Sequence, residues 1–508
     1  MFDKVSHTLG LVSEDEILFS TPFDYMFPDA ARSKLCLLPQ SEATVAGLRA
    51  LADLMGDPGD PTTPHTEFDS DIPAIYTYFG QFIDHDITAR TDRDTIISQI
   101  GANELPFPLP PDEVVAGLTN GRRPQLDLDS VFGEGPGLAP NATTQSNILY
   151  ENDFSLKRFV DSGANRRDLN RSENRGAIIP DMRNDENLVV SQLQFAFVEF
   201  YNKVLGAQGG DPREAHIRAR QLVRWAYQYV VVNDYLKRVC DPYVVEDTVA
   251  NGPRFLGPTA GRASAFMPLE FSTSAFRFGH SMIRPFYKLN TSAAEIDVMK
   301  LLGPANQFDP GTTDPTYFES DGHLKAAFVI DWNRFVDPGS TTQKARRIDT
   351  KIAQGLFSLP FEGRSTDLVL GHLARSNLIR SFNMSIPTGQ ALCDAFAINP
   401  LTLSEMHGGE STDIVDVLKA TYFDHRTPLW YYILREAAVQ QDGQHLGELG
   451  SRIVCETILF FIKSDPNSYL NNRHDKAVKT NNGGIDVDPG SGGTIKNLRN
   501  ILAFADVI

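Results

Sequence analysis

The sequence predicts a mainly α protein with few short strands and long loops. Apolar residues recur at helical spacing wherever a pattern is clear, strict alternation is scarce, and Pro and Gly gather in one long stretch. The first clear helix covers residues 74–88 and carries FGQFIDHDIT (79–88), which sets Gln81, Asp84, His85 and Asp86 in an apolar segment. LPFPLPPDE and FGEGPGLAPN then predict a long irregular segment between about residues 101 and 145, with the acidic, ordered-looking QLDLDSVFG (125–133) in its middle. DMRNDEN (181–187) stands where a long helix begins, with Leu193, Phe197, Tyr201 and Val204 on one face. Further helical patterns run over 211–239, through Ile348, Ile352 and Leu356, over 366–382 and over 445–464. NNGGIDVDPGSGG (481–493) reads as a surface turn, and no internal repeat is found.

Bulk properties narrow the class of partner. The chain of 508 residues carries 47 basic and 65 acidic side chains, a net charge of −18, which argues against nucleic acid as the main partner. Cys36, Cys240, Cys393 and Cys455 are scattered with no CxxC pair, so four free thiols are expected. The start, MFDKVSHTLGLVSEDE, lacks signal-peptide features, and no apolar run approaches the roughly 20 residues that span a bilayer. A soluble chain with no visible targeting is expected, and length alone leaves the domain count open.

On a helix over 74–88, Gln81 and His85 lie four apart and share a face, Asp84 sits about a third of a turn away, and Asp86 needs a separate partner. Arg183 and Glu186 in DMRNDEN and His280 in FRFGHSMIRPF supply residue types that complete an acid–base or metal site. A different chemistry is also written in the chain. His65-Thr66-Glu67 has the H-x-E spacing of a non-haem iron triad that His85 would complete.

FGQFIDHDIT, LDLDSVFG, RNDEN, FRFGH and ARSNLIRSF occur, in that order, in a pattern that resembles the animal-type haem peroxidases. The resemblance runs from about residue 20 to about 470, is strongest at these five motifs, and implies one large helical peroxidase domain over 1–508 with a tail from about 471. It implies haem b as cofactor. His85 then matches the distal histidine that moves a proton between the peroxide oxygens, Gln81 the glutamine facing distal water or halide, and Arg183 the distal arginine. His280 matches the proximal iron ligand and Asn377 its hydrogen-bond partner, while Arg277 and Arg380 match positions that meet haem propionates. Asp84 and Glu186 match acids that form ester bonds to haem, and Asn187 stands where a methionine would make a sulfonium link, which is thereby excluded.

The same resemblance gives Asp86 a calcium ion, with Asp127 and Asp129 as side-chain ligands and carbonyls from Gln125 and Arg123. Arg123 departs from the usual threonine, so it retains only the carbonyl and adds a like charge. The implied activity is reduction of hydrogen peroxide and oxidation of a small donor, halide, thiocyanate or phenol, through an oxyferryl intermediate. Two alternatives share the fold: a fatty-acid dioxygenase, and an adhesion or matrix protein with little activity. The dioxygenases place a radical-forming tyrosine three residues before the proximal histidine, where this chain has Arg277 between Phe276 and Phe278. By the same analogy an extracellular location is implied.

Overall fold

The structure, a computed structural model, describes residues 21–59, 64–88, 107–133, 135–136, 148–257, 265–301, 317–339, 341–359, 371–479, 483–488 and 492–508. Helices dominate, and the longest strand among the described residues, Asp69–Pro73, has five residues. One three-stranded sheet matters for the site. Thr21–Asp24 pairs antiparallel with Thr119–Asn120 and parallel with Met267–Pro268, so the chain entering the acidic loop is tied to the chain entering the His280 segment. No helix is long and apolar enough to cross a membrane among the described residues, and all four cysteines are unpaired.

The helix Ile75–Ile87 falls where the spacing puts it and packs on Leu188–Ala207. Phe82 stacks on Phe197 with ring centroids 4.8 Å apart, and Tyr227 meets both rings edge-on, a geometry that adds about 0.5–1.5 kcal/mol per pair beyond area burial. Gly80 permits the close approach of Tyr235, whose hydroxyl would stand 2.5 Å from a Cβ there. The predicted helix over 211–239 begins at Asp211, whose side chain caps Pro212–Val230. It then widens through Val231–Tyr235 before closing in Leu236–Val239. The widening delivers Asp234 to three donors: the Tyr76 hydroxyl at 2.6 Å, Arg238 Nε at 2.9 Å and the Leu498 amide at 2.8 Å.

Three expectations are corrected. Ile348, Ile352 and Leu356 are buried but not helical: Ile352 bridges Gly56 in extended chain, and only Gln354–Phe357 turns, so tertiary pairing produces an i, i+4, i+8 pattern without a helix. The stretch called irregular contains the helix Pro111–Gly117, begun by a proline that fixes φ in the helical range. Residues 101–106, 134 and 137–147 of it lie outside the described residues. The expected surface turn near 484 is instead a buried strand, Gly484–Asp486, between Val478–Lys479 and Thr494–Ile495; residues 481–482 and 489–491 are not described. Of the pattern over 366–382, residues 366–370 are not described and the helix is Leu373–Asn383, capped by the His372 side chain.

Buried acids staple the helices together. Glu436 accepts from the Leu449 and Gly450 amides at 3.0 and 3.1 Å and so caps the helix Glu448–Ser464, while Glu270 accepts from the Met26 amide at 2.7 Å. Burial pushes both carboxyls up to about 7. A carboxyl raised on folding is held more tightly protonated in the native state, so its contribution is full below about 4.5 and is lost as pH rises through about 7. The thermal midpoint is therefore expected to fall between pH 5 and pH 8, and the fall should be smaller in Glu436→Gln; an unchanged slope would remove Glu436 as a source.

Candidate active site

The turn between the first buried helix and the second is built by paired charges. In DMRNDEN, Asp181 accepts from the Arg183 amide and caps the short helical turn Met182–Asp185. Asp185 pairs with Arg171 at 2.7 Å, and Arg171 also holds Asp168 at 2.7 Å. Between these two fixed aspartates Asn184 points inward, where its Oδ1 lies 2.9 Å from His85 Nδ1 and its Nδ2 donates to Gln194 Oε1 at 2.9 Å. Because the amide nitrogen already donates to Gln194, Asn184 Oδ1 accepts a hydrogen bond from His85 Nδ1–H. The other imidazole nitrogen, Nε2, is then the basic one.

Glu186 Oε1 lies 3.4 Å from His85 Nε2 and also accepts from Gln81 Nε2. Asn187 accepts from the Val189 and Val190 amides to cap the helix Leu188–Ala207, and its Nδ2 donates to Gln81 Oε1 at 3.1 Å. Both ends of the Gln81 amide are thus assigned. The carboxylate of Glu186 provides a counter-charge for an imidazolium formed when Nε2 takes a proton. Asp84, on the same helix, accepts from the Thr88 hydroxyl at 3.2 Å.

Arg183 is placed behind His85. Its Nη2 donates to the His85 carbonyl at 2.8 Å, to the Thr88 carbonyl at 2.6 Å and to Asp181 Oδ2 at 2.7 Å. Arg122 Nη2 donates to the same Asp181 oxygen at 2.5 Å. Although burial opposes it, Arg183 and then Arg122 hold the Asp181 carboxyl well below the usual range.

The segment Ala275–His280 packs beneath the helix Ile75–Ile87. His280 Nδ1 lies 2.8 Å from Asn377 Nδ2, on the helix Leu373–Asn383. A half-turn of the amide, which exchanges two groups of the same size, presents Oδ1 to an Nδ1–H and leaves Nε2 with its lone pair. Desolvation, then the charges of Arg277 and Arg380, lower the His280 pKa to about 3, so the ring stays neutral. Arg277 Nε donates to the Ser272 carbonyl at 2.9 Å, and Arg380 Nη2 to Ser376 Oγ at 3.3 Å. A neutral imidazole beside two guanidiniums is a donor set that fits a haem, with the ring for iron and the cations for propionates.

Asp86, Asp127 and Asp129 bring carboxylate oxygens within 4.8 Å of one another, the only such metal-ligand grouping among the described residues. Asp86 is fully buried and accepts from Ser130 Oγ at 2.8 Å and the Leu128 amide at 3.2 Å. Leu126 and Leu128 adopt φ of 52° and 59°, which turns the loop around the cluster. That conformation costs about 1–2 kcal/mol per leucine, and full burial of each side chain returns about 1.5–3 kcal/mol. Gln228 holds the loop by donating to the Gln125 and Leu126 carbonyls at 3.0 and 3.3 Å. The like charge expected from Arg123 comes from its neighbour: Arg123 reaches Asp127 only at 3.9 Å and is 40% exposed, whereas buried Arg122 meets Asp129 at 3.2 Å. The Tyr227 hydroxyl is buried beside Asp86. Burial, then Asp129 and Asp127, push the Asp86 carboxyl well above its usual range, and burial raises Asp129 to about 6. Crowded oxygens of this kind fit a hard divalent cation.

Residues Asn184, Asp181 and Arg122 were not singled out by sequence. Two of them lie inside DMRNDEN, the third beside Arg123, and only their contacts distinguish them. The H-x-E alternative is not assembled. His65 Nε2 lies 2.5 Å from Arg346 Nη2 and 3.6 Å from Asp57, and His65, Glu67 and His85 form no metal-ligand group among the described residues.

No protein-family model matches the sequence, and no curated protein sequence matches it. Solved structures do. Peroxidase A from Dictyostelium discoideum superimposes with a TM-score of 0.57 at 15% identity, over 95% of each chain. The fatty acid alpha-dioxygenase of Oryza sativa gives 0.58 at 14% identity, over 93% of this chain and 79% of its own, and that of Arabidopsis thaliana 0.58 at 15%, over 96% and 76%. The chain has the animal-type haem peroxidase fold, as the motifs imply.

Removing the Asn184 side chain strands a buried His85 Nδ1 and the Gln194 carbonyl together. Asn184→Ala is expected to lower stability by about 1–3 kcal/mol, read as a drop in the denaturant or thermal midpoint. A change within error would show that Asn184 does not hold the ring.

Proposed function

We propose that the protein is a haem peroxidase, an oxidoreductase that reduces hydrogen peroxide and oxidises a small donor such as a halide, thiocyanate or a phenol. One observation carries the reading. Two histidines on packed elements each meet an asparagine through Nδ1, His85 the Oδ1 of Asn184 and His280 the amide of Asn377, and with the Asn377 amide turned to present Oδ1 both Nε2 atoms are reserved for chemistry.

Haem b, when bound, supplies the iron at which peroxide is held and reduced. His280 Nε2 would hold the iron, and Arg277 and Arg380 would hold the propionates. His85 Nε2 accepts the proton of the incoming peroxide and returns it to the departing oxygen, with Glu186 balancing the charge of the ring between the two transfers. Gln81, fixed by Asn187, presents its amide beside that proton path. Arg183 contributes a permanent positive field from behind His85. Ester links through Asp84 and Glu186 belong to the same reading, and an esterified Glu186 would give up its counter-charge to His85. Haem that extracts freely into acidified acetone would remove them.

The folds of a peroxidase and of fatty acid alpha-dioxygenases superimpose equally well, so the choice rests on side chains. Arg277 stands where a dioxygenase needs a radical-forming tyrosine, and Arg277 is flanked by Phe276 and Phe278. Peroxidase chemistry needs no residue that this site lacks. Calcium at Asp86, Asp127 and Asp129, with carbonyls of Gln125 and Arg123, completes the proposal.

Purified protein reconstituted with haem should show a Soret band that shifts on adding peroxide. His280→Ala is expected to lose the band, and His85→Ala to keep it while losing about 10²–10⁴-fold in the rate of peroxide-driven guaiacol or bromide oxidation. Unchanged turnover in His85→Ala would overturn the distal assignment. Independently, chelation at pH 7.5 is expected to lower the thermal midpoint, calcium to restore it, and Asp86→Ala to respond to neither; a midpoint indifferent to chelator in the unmodified protein would exclude the cation.

A further inference from the structure

Four carboxylates, Asp86 and Asp181 buried and Asp127 and Asp129 half-buried, share one region with the buried guanidinium of Arg122 and the half-buried one of Arg183. Arg122 stands between the two halves of this group. Its Nη1 meets Asp129 of the cation cluster at 3.2 Å, and its Nη2 meets Asp181 Oδ2 at 2.5 Å. That same oxygen accepts from Arg183 Nη2 at 2.7 Å, and Arg183 Nη2 reaches the His85 carbonyl at 2.8 Å.

We propose that Arg122 is a positioning residue that couples cation occupancy of the Asp86–Asp127–Asp129 cluster to Arg183 and His85 through the shared Asp181 oxygen. The inference rests on the cation and haem readings above and adds a path between them. A cation that draws on Asp129 weakens the attraction of that acid for Arg122. The guanidinium then leans on Asp181 alone and competes with Arg183 for Oδ2. Loosened from Asp181, Arg183 shifts its charge relative to His85. A planar fork is required for the task, because only a guanidinium engages two carboxylates from separate nitrogens at fixed separation. The backbone of Arg122 is held for this purpose at both ends, its carbonyl by the Thr21 hydroxyl at 3.1 Å and its amide by Asn120 Oδ1 at 3.2 Å.

The test measures two affinities on the haem-loaded protein, calcium by calorimetry after chelation and cyanide by the Soret shift, each with and without the other ligand. Coupling is reciprocal, so both ratios report the same quantity, and about fivefold is expected in the unmodified protein. Arg122→Gln is expected to reduce the ratio below twofold and to tighten calcium about tenfold, because a neighbouring positive charge has been removed. Arg122→Lys keeps the charge but contacts one acid at a time, so it too should lose the coupling even if Arg122→Gln does not fold. Coupling that persists unchanged in Arg122→Lys overturns the proposal, as does its absence in the unmodified protein. A protein that binds no haem would fail the cyanide arm and sink the peroxidase reading. The calcium affinity of Arg122→Gln, measured without haem, would still support the role of Arg122 if tightened and overturn it if unchanged.

Discussion

The helix Ile75–Ile87 ends inside the protein, and its last carbonyls must find donors there. A helix terminus leaves up to four carbonyls without partners and concentrates about half a negative charge. Among the described residues the donors come from side chains that also shape the site. Thr88 bonds the Asp84 carbonyl through its amide and hydroxyl, Asn120 bonds the Ile87 carbonyl at 2.8 Å, and Arg183 bonds the His85 and Thr88 carbonyls. Asn120 begins the acidic loop and Arg183 begins the turn that presents Asn184. Satisfying one helix end therefore fixes His85, the loop and the turn in a common frame.

That frame is ionic, and ionic frames are a poor source of stability. The desolvation of buried charges offsets most of what their attraction returns, so Asp181 with Arg183 and Arg122, or Arg171 with Asp168 and Asp185, contributes specificity of placement more than free energy. Stability comes from the continuous apolar core, which runs from Phe23 to Val507. The division of labour is compatible with a chain only about 15% identical to a solved peroxidase sharing its fold. Apolar positions tolerate exchange at constant volume. A shared carboxylate oxygen with two guanidiniums does not.

Legibility of the sequence followed the same division. The helix of FGQFIDHDIT was readable because its apolar faces repeat at helical spacing, and the motifs pointed to the fold because His, Arg and Asp are rarely placed without cause. The extended chain through Ile348 and Ile352 misled because two buried isoleucines four apart look helical whatever holds them. The buried strand Gly484–Asp486 misled because Gly and Asp are turn residues until a neighbouring strand supplies hydrogen bonds. Asn184 and Asp181 escaped because a polar residue beside a motif carries no signal of direction. Arg122 escaped for a sharper reason. Arg122 and Arg123 are adjacent and identical in type, and only the fold decides that the first turns inward to Asp129 while the second stays 40% exposed.

The proximal side shows why a shared fold need not mean shared chemistry. Arg277 sits in a turn fixed at both ends, its Nε donating to the Ser272 carbonyl and its own carbonyl accepting from Trp430 Nε1 at 3.1 Å. Phe276 is stacked on Phe271 with centroids 4.6 Å apart, so the neighbouring aromatic is committed to the core. A tyrosine at 277 would offer a phenolic hydrogen atom to an oxidised site and become a radical. A guanidinium offers neither hydrogen atom nor electron at accessible potentials, and its charge adds to the burial that keeps His280 neutral. On the proposed peroxidase reading, position 277 offers oxidising equivalents no phenol, and they are left for a donor that comes from outside.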